Sequence, residues 1–313
     1  MSFTLPELEA AAHIVHAVMP PTPQYAWPLL AARTGCEVWV KHENHTPTGA
    51  FKVRGGLVYF DRHRPDGGAI SATRGNHGQS VAFAGRRFGI PVTIVVPRGN
   101  SIEKNAAMRA FGARLIEHGS DYEDARVESF RLAKEQGLDI VPPFHMDLVL
   151  GVATYALELF RAVSDLHTVY VPVGMGSGIC GLIRTRDLLG LAAHVVGVQS
   201  ERAPSYALSF AAGRGGTTES ADTVAAGVAT RVPDPPAVEN IRKGAERIVT
   251  VSEEEIAAAI RAYHTDTHNL AEGAGAAPLA ALMKERETMR GRKVGVVLSG
   301  GNIDLDLFLR VLA

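Results

Sequence analysis

Residues 171–181 read Val-Pro-Val-Gly-Met-Gly-Ser-Gly-Ile-Cys-Gly: an apolar run, a turn in which Gly174, Gly176 and Gly178 alternate with Met175 and Ser177, then a helical pattern. An apolar strand that ends in glycines and runs straight into a helix is the βα unit of an open parallel sheet. It puts the turn at the edge where such sheets hold ligands. Glycines let the backbone bend until successive N–H groups point at one anion, the helix N-terminus adds favourable dipole charge, and the Ser177 hydroxyl is a further donor. Taken alone, the same turn is equally a tight strand-to-helix connection with no ligand.

Outward from this turn, β-branched runs at 37–41, 92–96, 169–173, 195–199 and 293–298 alternate with longer Ala-rich helical stretches. That rhythm predicts the α/β class, with mostly parallel sheets covered by helices. With 313 residues and 46% hydrophobic content, the chain can build two lobes around a substantial core. The Gly/Pro/Thr-rich stretch 213–236 reads as a long surface excursion between elements. A formal net charge of -1, with Lys and Arg dispersed, provides no basic stripe and argues against a nucleic-acid partner. Cys36 and Cys180 stand without metal-ligand spacing, so neither a disulfide framework nor a zinc site is expected, and a reducing compartment fits. The first 25 residues lack the basic start and long apolar core of a secretory signal, and no apolar run approaches membrane-spanning length. The expectation is a cytoplasmic protein.

Three further segments carry polar chemistry. In 41–56, Lys-His-Glu-Asn-His-Thr-Pro-Thr-Gly-Ala-Phe-Lys-Val-Arg-Gly-Gly, Lys52 follows a Pro-Thr-Gly turn beside Phe51 where a helix can begin. A lysine withdrawn from water loses its proton more easily, and only the neutral amine forms an imine with an aldehyde. On its own the reading loses to that of an exposed helix lysine, since most lysines are solvated surface charges. In 71–85, Ser-Ala-Thr-Arg-Gly-Asn-His-Gly-Gln-Ser-Val-Ala-Phe-Ala-Gly, backbone N–H groups from Thr73 to His77 at a helix start suit a carboxylate. The Asn76 amide can donate to a phenolic oxygen. In 297–304, Val-Leu-Ser-Gly-Gly-Asn-Ile-Asp, glycines again end a strand, with the Ser299 hydroxyl at its tip; a simple cap for the last helix reads the same.

In this order the four segments resemble fold-type II pyridoxal-phosphate enzymes, specifically the serine/threonine dehydratase (threonine ammonia-lyase) and serine racemase group, over about residues 15–307. Thr-Gly-Ala-Phe-Lys-x-Arg-Gly is the most specific of the shared signatures, reinforced by Gly-Asn-His-Gly-Gln and Ser-Gly-Gly-Asn. The resemblance implies a two-lobed, tryptophan synthase β-like fold, with a small domain (68–145) inserted into a large one (1–67 and 146–313). It implies pyridoxal 5'-phosphate as cofactor, Lys52 as its Schiff-base anchor and the α-proton base, and Phe51 beside the cofactor ring. Asn76 is then expected at the 3-hydroxyl, the turn Gly174, Met175, Gly176, Ser177 and Gly178 at the phosphate, Ser299 at the pyridine nitrogen and Glu272 near the ring. Thr73, Arg74, Asn76 and His77 are the expected substrate contacts. The implied reaction is α,β-elimination from a small β-hydroxy amino acid, giving a 2-oxo acid and ammonia, by an enzyme that in this family is commonly a homodimer. A neutral serine opposite the ring nitrogen suits elimination rather than deeper carbanion chemistry.

The chain departs from the family in four places, one being the four-glycine loop, where Met175 and Ser177 stand among the glycines and weigh against plain threonine as the substrate. Arg74 replaces the small residue, often serine, that precedes Gly-Asn-His and that serves the racemases as acid/base. A permanently protonated guanidinium is a poor proton shuttle, so racemisation is expected to be weak or absent. Arg74 either meets a second substrate carboxylate, as in a 3-hydroxyaspartate, or faces outward in an ion pair. Gln199 and Ser205 replace the acidic ligands of the family's metal segment, so no divalent ion is expected there. Gly151-Val-Ala-Thr replaces a Gly-Gln-Gly-Thr helix start, which weighs against plain threonine as the substrate. A β-replacement synthase on the same fold is the nearest rival, but typically carries Gly-Asn-Thr where His77 stands. A cofactor-binding protein without turnover is disfavoured by Lys52 in its full motif.

Overall fold

The computed structural model describes residues 2–313, which build ten strands, numbered here in chain order, into two sheets. The larger sheet runs β1 (Gln24–Ala26), β2 (Glu37–His42), β10 (Lys293–Leu298), β7 (Thr168–Pro172), β8 (His194–Ser200) and β9 (Arg247–Val251). All its pairings are parallel except that of the short edge strand β1 with β2. The smaller sheet runs β5 (Arg114–Glu117), β4 (Val92–Val96), β3 (Ala69–Ala72) and β6 (Asp139–Ile140), entirely in parallel. Strands covered on both faces read as unbroken apolar runs. In β4, Val-Thr-Ile-Val-Val, every residue is buried, as is all of β10 beyond Lys293.

Helices cover both faces. The longest, Met146–Ala162, contributes buried Val149, Val152, Tyr155 and Leu159 to a core shared with Val58 of helix Lys52–Arg62, Val81 of helix Asn76–Phe88, Ile94 of β4 and Val171 of β7. That core runs from one sheet to the other and joins the lobes. On the far side of the larger sheet, helices Glu253–Thr267 and Gly273–Lys284 enclose a second core with Val196, Val294 and Leu298. The second of these carries Pro278 inside it.

The stretch 213–236 is not wholly a surface excursion. Its latter half turns inward through a 3-10 turn, Ala226–Val228, and buries Ala225 and Val228 in the second core. Thr223 donates to Glu253 at 2.6 Å, and Ser205 donates to the Thr230 carbonyl at 2.6 Å. Small residues with little hydrophobic signal of their own allow this close approach. A Cβ on Gly273 would lie 2.8 Å from the backbone of Ala225.

Candidate active site

Lys52 is the first residue of helix Lys52–Arg62, and the turn before it is locked to the tip of β10. Phe51 donates its N–H to the Ser299 carbonyl at 3.0 Å, and Gly301 donates to the Gly49 carbonyl at 2.9 Å. Gly49 has φ +68, and a Cβ there would sit 2.4 Å from the Asn302 amide oxygen, so the turn requires glycine twice over. Lys52 is half-buried, and its amine has no hydrogen-bond partner among the described residues. Burial pushes its pKa down against the opposing charge of Glu272.

Two residues on, Arg54 has the opposite surroundings. It is fully buried and doubly bonded to Glu43 (Nε at 2.7 Å, Nη2 at 2.9 Å) and to Glu158 (Nη1 at 2.6 Å, Nη2 at 2.8 Å). Lys41, also fully buried, donates to Glu158 at 2.5 Å and to the Thr22 carbonyl at 2.7 Å. Burial opposes the charge on Glu158, but Arg54 and Lys41 bring its pKa down to about 2. This network fixes the helix that presents Lys52. It also explains Gly151 and Thr154. They lie inside helix Met146–Ala162, where a Cβ on Gly151 would be 2.3 Å from the Arg54 carbonyl and the Thr154 hydroxyl accepts from Arg54 at 3.0 Å. The Gly151-Val-Ala-Thr departure therefore concerns packing around Arg54 rather than a helix start at the substrate.

The glycine turn after β7 has the form of an anion cradle. Helix Ser177–Leu188 begins after Gly176 (φ +97) with no side-chain cap, and the N–H groups from Gly174 to Ile179 find no acceptor among the described residues. Gly174 is backed so closely by the 3-10 turn that a Cβ would lie 2.2 Å from the Gly227 carbonyl. Tyr206 steadies the turn by donating to the Met175 carbonyl at 2.9 Å. Between this turn and the tip of β10 lies a largely apolar slot lined by Phe51, Tyr155, Val171, Gly178, Val297 and Ser299. Tyr155 meets Phe51 edge-on and donates its hydroxyl to the Gly178 carbonyl at 2.9 Å. Six free backbone donors, a flat apolar slot ending in a hydroxyl and an unpartnered desolvated amine fit an aromatic aldehyde that bears a phosphate.

The smaller sheet closes the other side. At the start of helix Asn76–Phe88 the Thr73 N–H bonds Val95, and the Thr73 hydroxyl accepts from Gly75 (3.0 Å) and Gly78 (3.3 Å). Of the Thr73–His77 amides, those of Arg74, Asn76 and His77 remain free for an anion, so the receptor is narrower than the sequence predicts. Asn76 donates to Glu272 at 2.5 Å and accepts from Asn302 at 2.9 Å, while Lys104 stands 3.6 Å from Glu272. The His77 ring is buried with Nε2 unpartnered; burial and the nearby Lys52 charge push its pKa down to about 3, so it stays neutral. Arg74 is exposed at the mouth and takes part in no hydrogen bond or ion pair among the described residues; the outward ion pair is not formed. Gln199 and Ser205 spend their polar atoms on backbone: Gln199 Oε1 accepts from Tyr206 (2.9 Å) and Ala207 (3.0 Å) and Nε2 donates to Val173 (3.2 Å). Sequence reasoning gave no role to Tyr155, Lys104 and Asn302; Asn302 follows Ser299-Gly-Gly, and the other two sit in ordinary helical patterns.

A family model described as pyridoxal-phosphate dependent enzyme matches residues 17–300. An L-threonine ammonia-lyase of Thermotoga maritima is 34% identical over 313 residues, covering 99% of this chain and 78% of that protein. The L-threonine dehydratase catabolic TdcB of Staphylococcus aureus is 34% identical, covering 86% and 80%. The solved threonine deaminase of T.th. superposes with a TM-score of 0.92 at 30% identity, over 97% of this chain and 99% of that one. The site is thus built on the two-lobed fold of fold-type II enzymes, and the chain belongs to the pyridoxal-phosphate dependent enzymes.

Proposed function

We propose that the protein is an ammonia-lyase that removes the α-proton and the β-hydroxyl of a small β-hydroxy amino acid and yields a 2-oxo acid and ammonia. The observation that carries this reading is the Lys52 amine: without a hydrogen-bond partner among the described residues, lowered in pKa, and next in the chain to Phe51, which lines the slot between the glycine turn and Ser299. The names of the relatives, L-threonine ammonia-lyase and L-threonine dehydratase, support the same reaction type.

Bound in the slot, pyridoxal phosphate supplies the electron sink that makes an α-proton removable. Gly174, Met175, Gly176, Ser177 and Gly178 would hold its phosphate through backbone N–H groups, Ser299 would serve the ring nitrogen, Phe51 would pack beside the ring, and Asn76 and Glu272 would border it. Lys52 would be both its covalent anchor and the base that takes the α-proton. The substrate carboxylate is received by the free amides at Arg74, Asn76 and His77, with Thr73 fixing their geometry. Water lost in the elimination is regained when the released product hydrolyses, so the overall change is amino acid to 2-oxo acid plus ammonia.

Arg74 supports a second step of this reading. It stands at the mouth of the receptor, exposed and without a partner, where its guanidinium is available to a second carboxylate of the substrate. A 3-hydroxyaspartate is such a substrate, and racemisation is not favoured because arginine does not shuttle protons. The chain division at about residues 68 and 145, a cytoplasmic setting and a homodimer belong to the same reading. Support comes from the separate four-stranded sheet, the two free buried cysteines, and exposed Leu305, Leu309 and Leu312 on the last helix.

The test is 2-oxo acid release by the purified holoenzyme across L- and D-serine, threonine and the 3-hydroxyaspartates, with Arg74→Ser alongside. Release from at least one substrate is expected, with the dicarboxylates losing most in Arg74→Ser. Silence across the whole panel with cofactor bound would overturn the lyase.

A further inference from the structure

Two stretches carry the chain between the sheets: 63–68, from helix Lys52–Arg62 to β3, and 141–145, from β6 to helix Met146–Ala162. Side chains from both crossings meet far from the glycine turn. His63 Nε2 lies 2.7 Å from Asp147 Oδ2, and His145 Nδ1 lies 3.6 Å from the same oxygen. The three residues each offer a ligand atom within 4.8 Å of the others. Tyr59 holds both rings, stacked on His63 at 4.4 Å and edge-on to His145 at 5.3 Å. The Asp147 N–H donates to His145 Nδ1 at 3.1 Å, so that nitrogen carries no proton.

We propose that His63, His145 and Asp147 form a divalent-metal site of the zinc class that ties the two crossings together. Two imidazoles and one carboxylate are the donor set of borderline cations such as Zn²⁺ and Co²⁺. A tetrahedral ion with bonds of ~2.0–2.1 Å spaces its donors by roughly 3.4 Å, between the 2.7 and 3.6 Å separations present. Closing the site therefore needs side-chain rotations, and ligation through His145 Nδ1 exchanges that nitrogen's one lone pair from the Asp147 N–H to the ion. Arg62 bonds Oδ1 at 2.6 Å, orienting the carboxylate while leaving Oδ2 to the ion. A cavity of about 260 Å³, lined by Tyr59, His63, Pro65, Asp139, Ile140 and Val141, opens beside His63 and has room for water or a small anion near that ligand.

The alternative is a plain His63–Asp147 ion pair with no affinity for cations. Chelator-treated holoenzyme is titrated with Zn²⁺ calorimetrically and with Co²⁺ by its visible ligand-field bands, beside His63→Gln, His145→Asn and Asp147→Asn. One equivalent per chain is expected, with tetrahedral Co²⁺ bands, and each variant should weaken Zn²⁺ binding at least about 10-fold. No binding by the unaltered chain, or equal binding by His63→Gln, overturns the site; equal binding would place the ion elsewhere, for instance on the cofactor phosphate. His63 is half-exposed, so His63→Gln decides the matter even if Asp147→Asn disturbs the helix start.

Discussion

Lys52 and Arg54 are two positions apart on one helix and leave it on different sides, and their surroundings differ in kind. Arg54 is buried with every direction of its guanidinium answered by Glu43, Glu158, Thr154 or Thr22. Burial alone would lower its pKa; the two carboxylates reverse that, and it stays charged. Lys52 is desolvated without such answers and leans toward the neutral amine. A satisfied buried cation holds a fold in register, whereas an unsatisfied one is a reagent. The same helix does both, with Arg54 turned to the core between the lobes and its Lys52 end next to Phe51, which lines the slot.

The sharpest way to break the comparison is to remove the reagent alone. Lys52→Ala should lower 2-oxo acid release by about 10⁴-fold or more, while calorimetric unfolding shows no loss of stability. A parallel fall in stability would mean that Lys52 is also structural. Removing the satisfied cation should do the reverse. Arg54→Met strands Glu43 and Glu158 and should cost about 3–5 kcal/mol of stability in denaturant titration, with turnover lost only as the fold is lost.

The acid limb sharpens the contrast. The folded pKa of Glu158 lies below its ordinary 4.5, at about 2, so its contribution is complete above pH 4.5 and disappears as pH falls through 2. The difference corresponds to about 3 kcal/mol, and Glu158→Gln should flatten the stability profile between pH 5 and 2. At the small end, Arg74→Ser should shift stability by less than about 0.5 kcal/mol because the side chain is exposed and unpaired. Its effect should appear only as a changed order of preference among serine, threonine and the 3-hydroxyaspartates.

Legibility in the sequence followed how much of each feature is local. Strands β2, β4, β7, β8 and β10 are apolar runs buried on both faces, and all five are visible as such in the sequence. β1, β5 and β6 are short and partly exposed, and they became strands through their neighbours rather than through their composition. Lys52, the glycine turn and Ser299 each sit in a local turn whose chemistry is written in adjacent residues. Tyr155 and Lys104 do not: each reaches the site from a helix whose pattern serves packing, and only the fold brings them to Gly178 and Glu272. The inward path of Thr223–Thr230 was hidden for a related reason, since glycine and alanine signal surface turns when read alone and close packing when something lies against them.

The position of β10 has a consequence for synthesis. It follows every other strand of both sheets in the chain, yet it sits between β2 and β7, and its tip carries Ser299 and clasps the Lys52 turn. On the ribosome, at ~5–20 residues per second, β2 therefore has an unpaired edge from residue 42 onward and β7 from residue 172 onward until β10 is made. Such edges invite pairing with other chains, so the nascent protein should depend on chaperones more than its finished fold suggests. The same delay means that no partial chain presents both Lys52 and Ser299 in place. The Ser299 side of the slot exists only in a molecule whose large sheet is already closed.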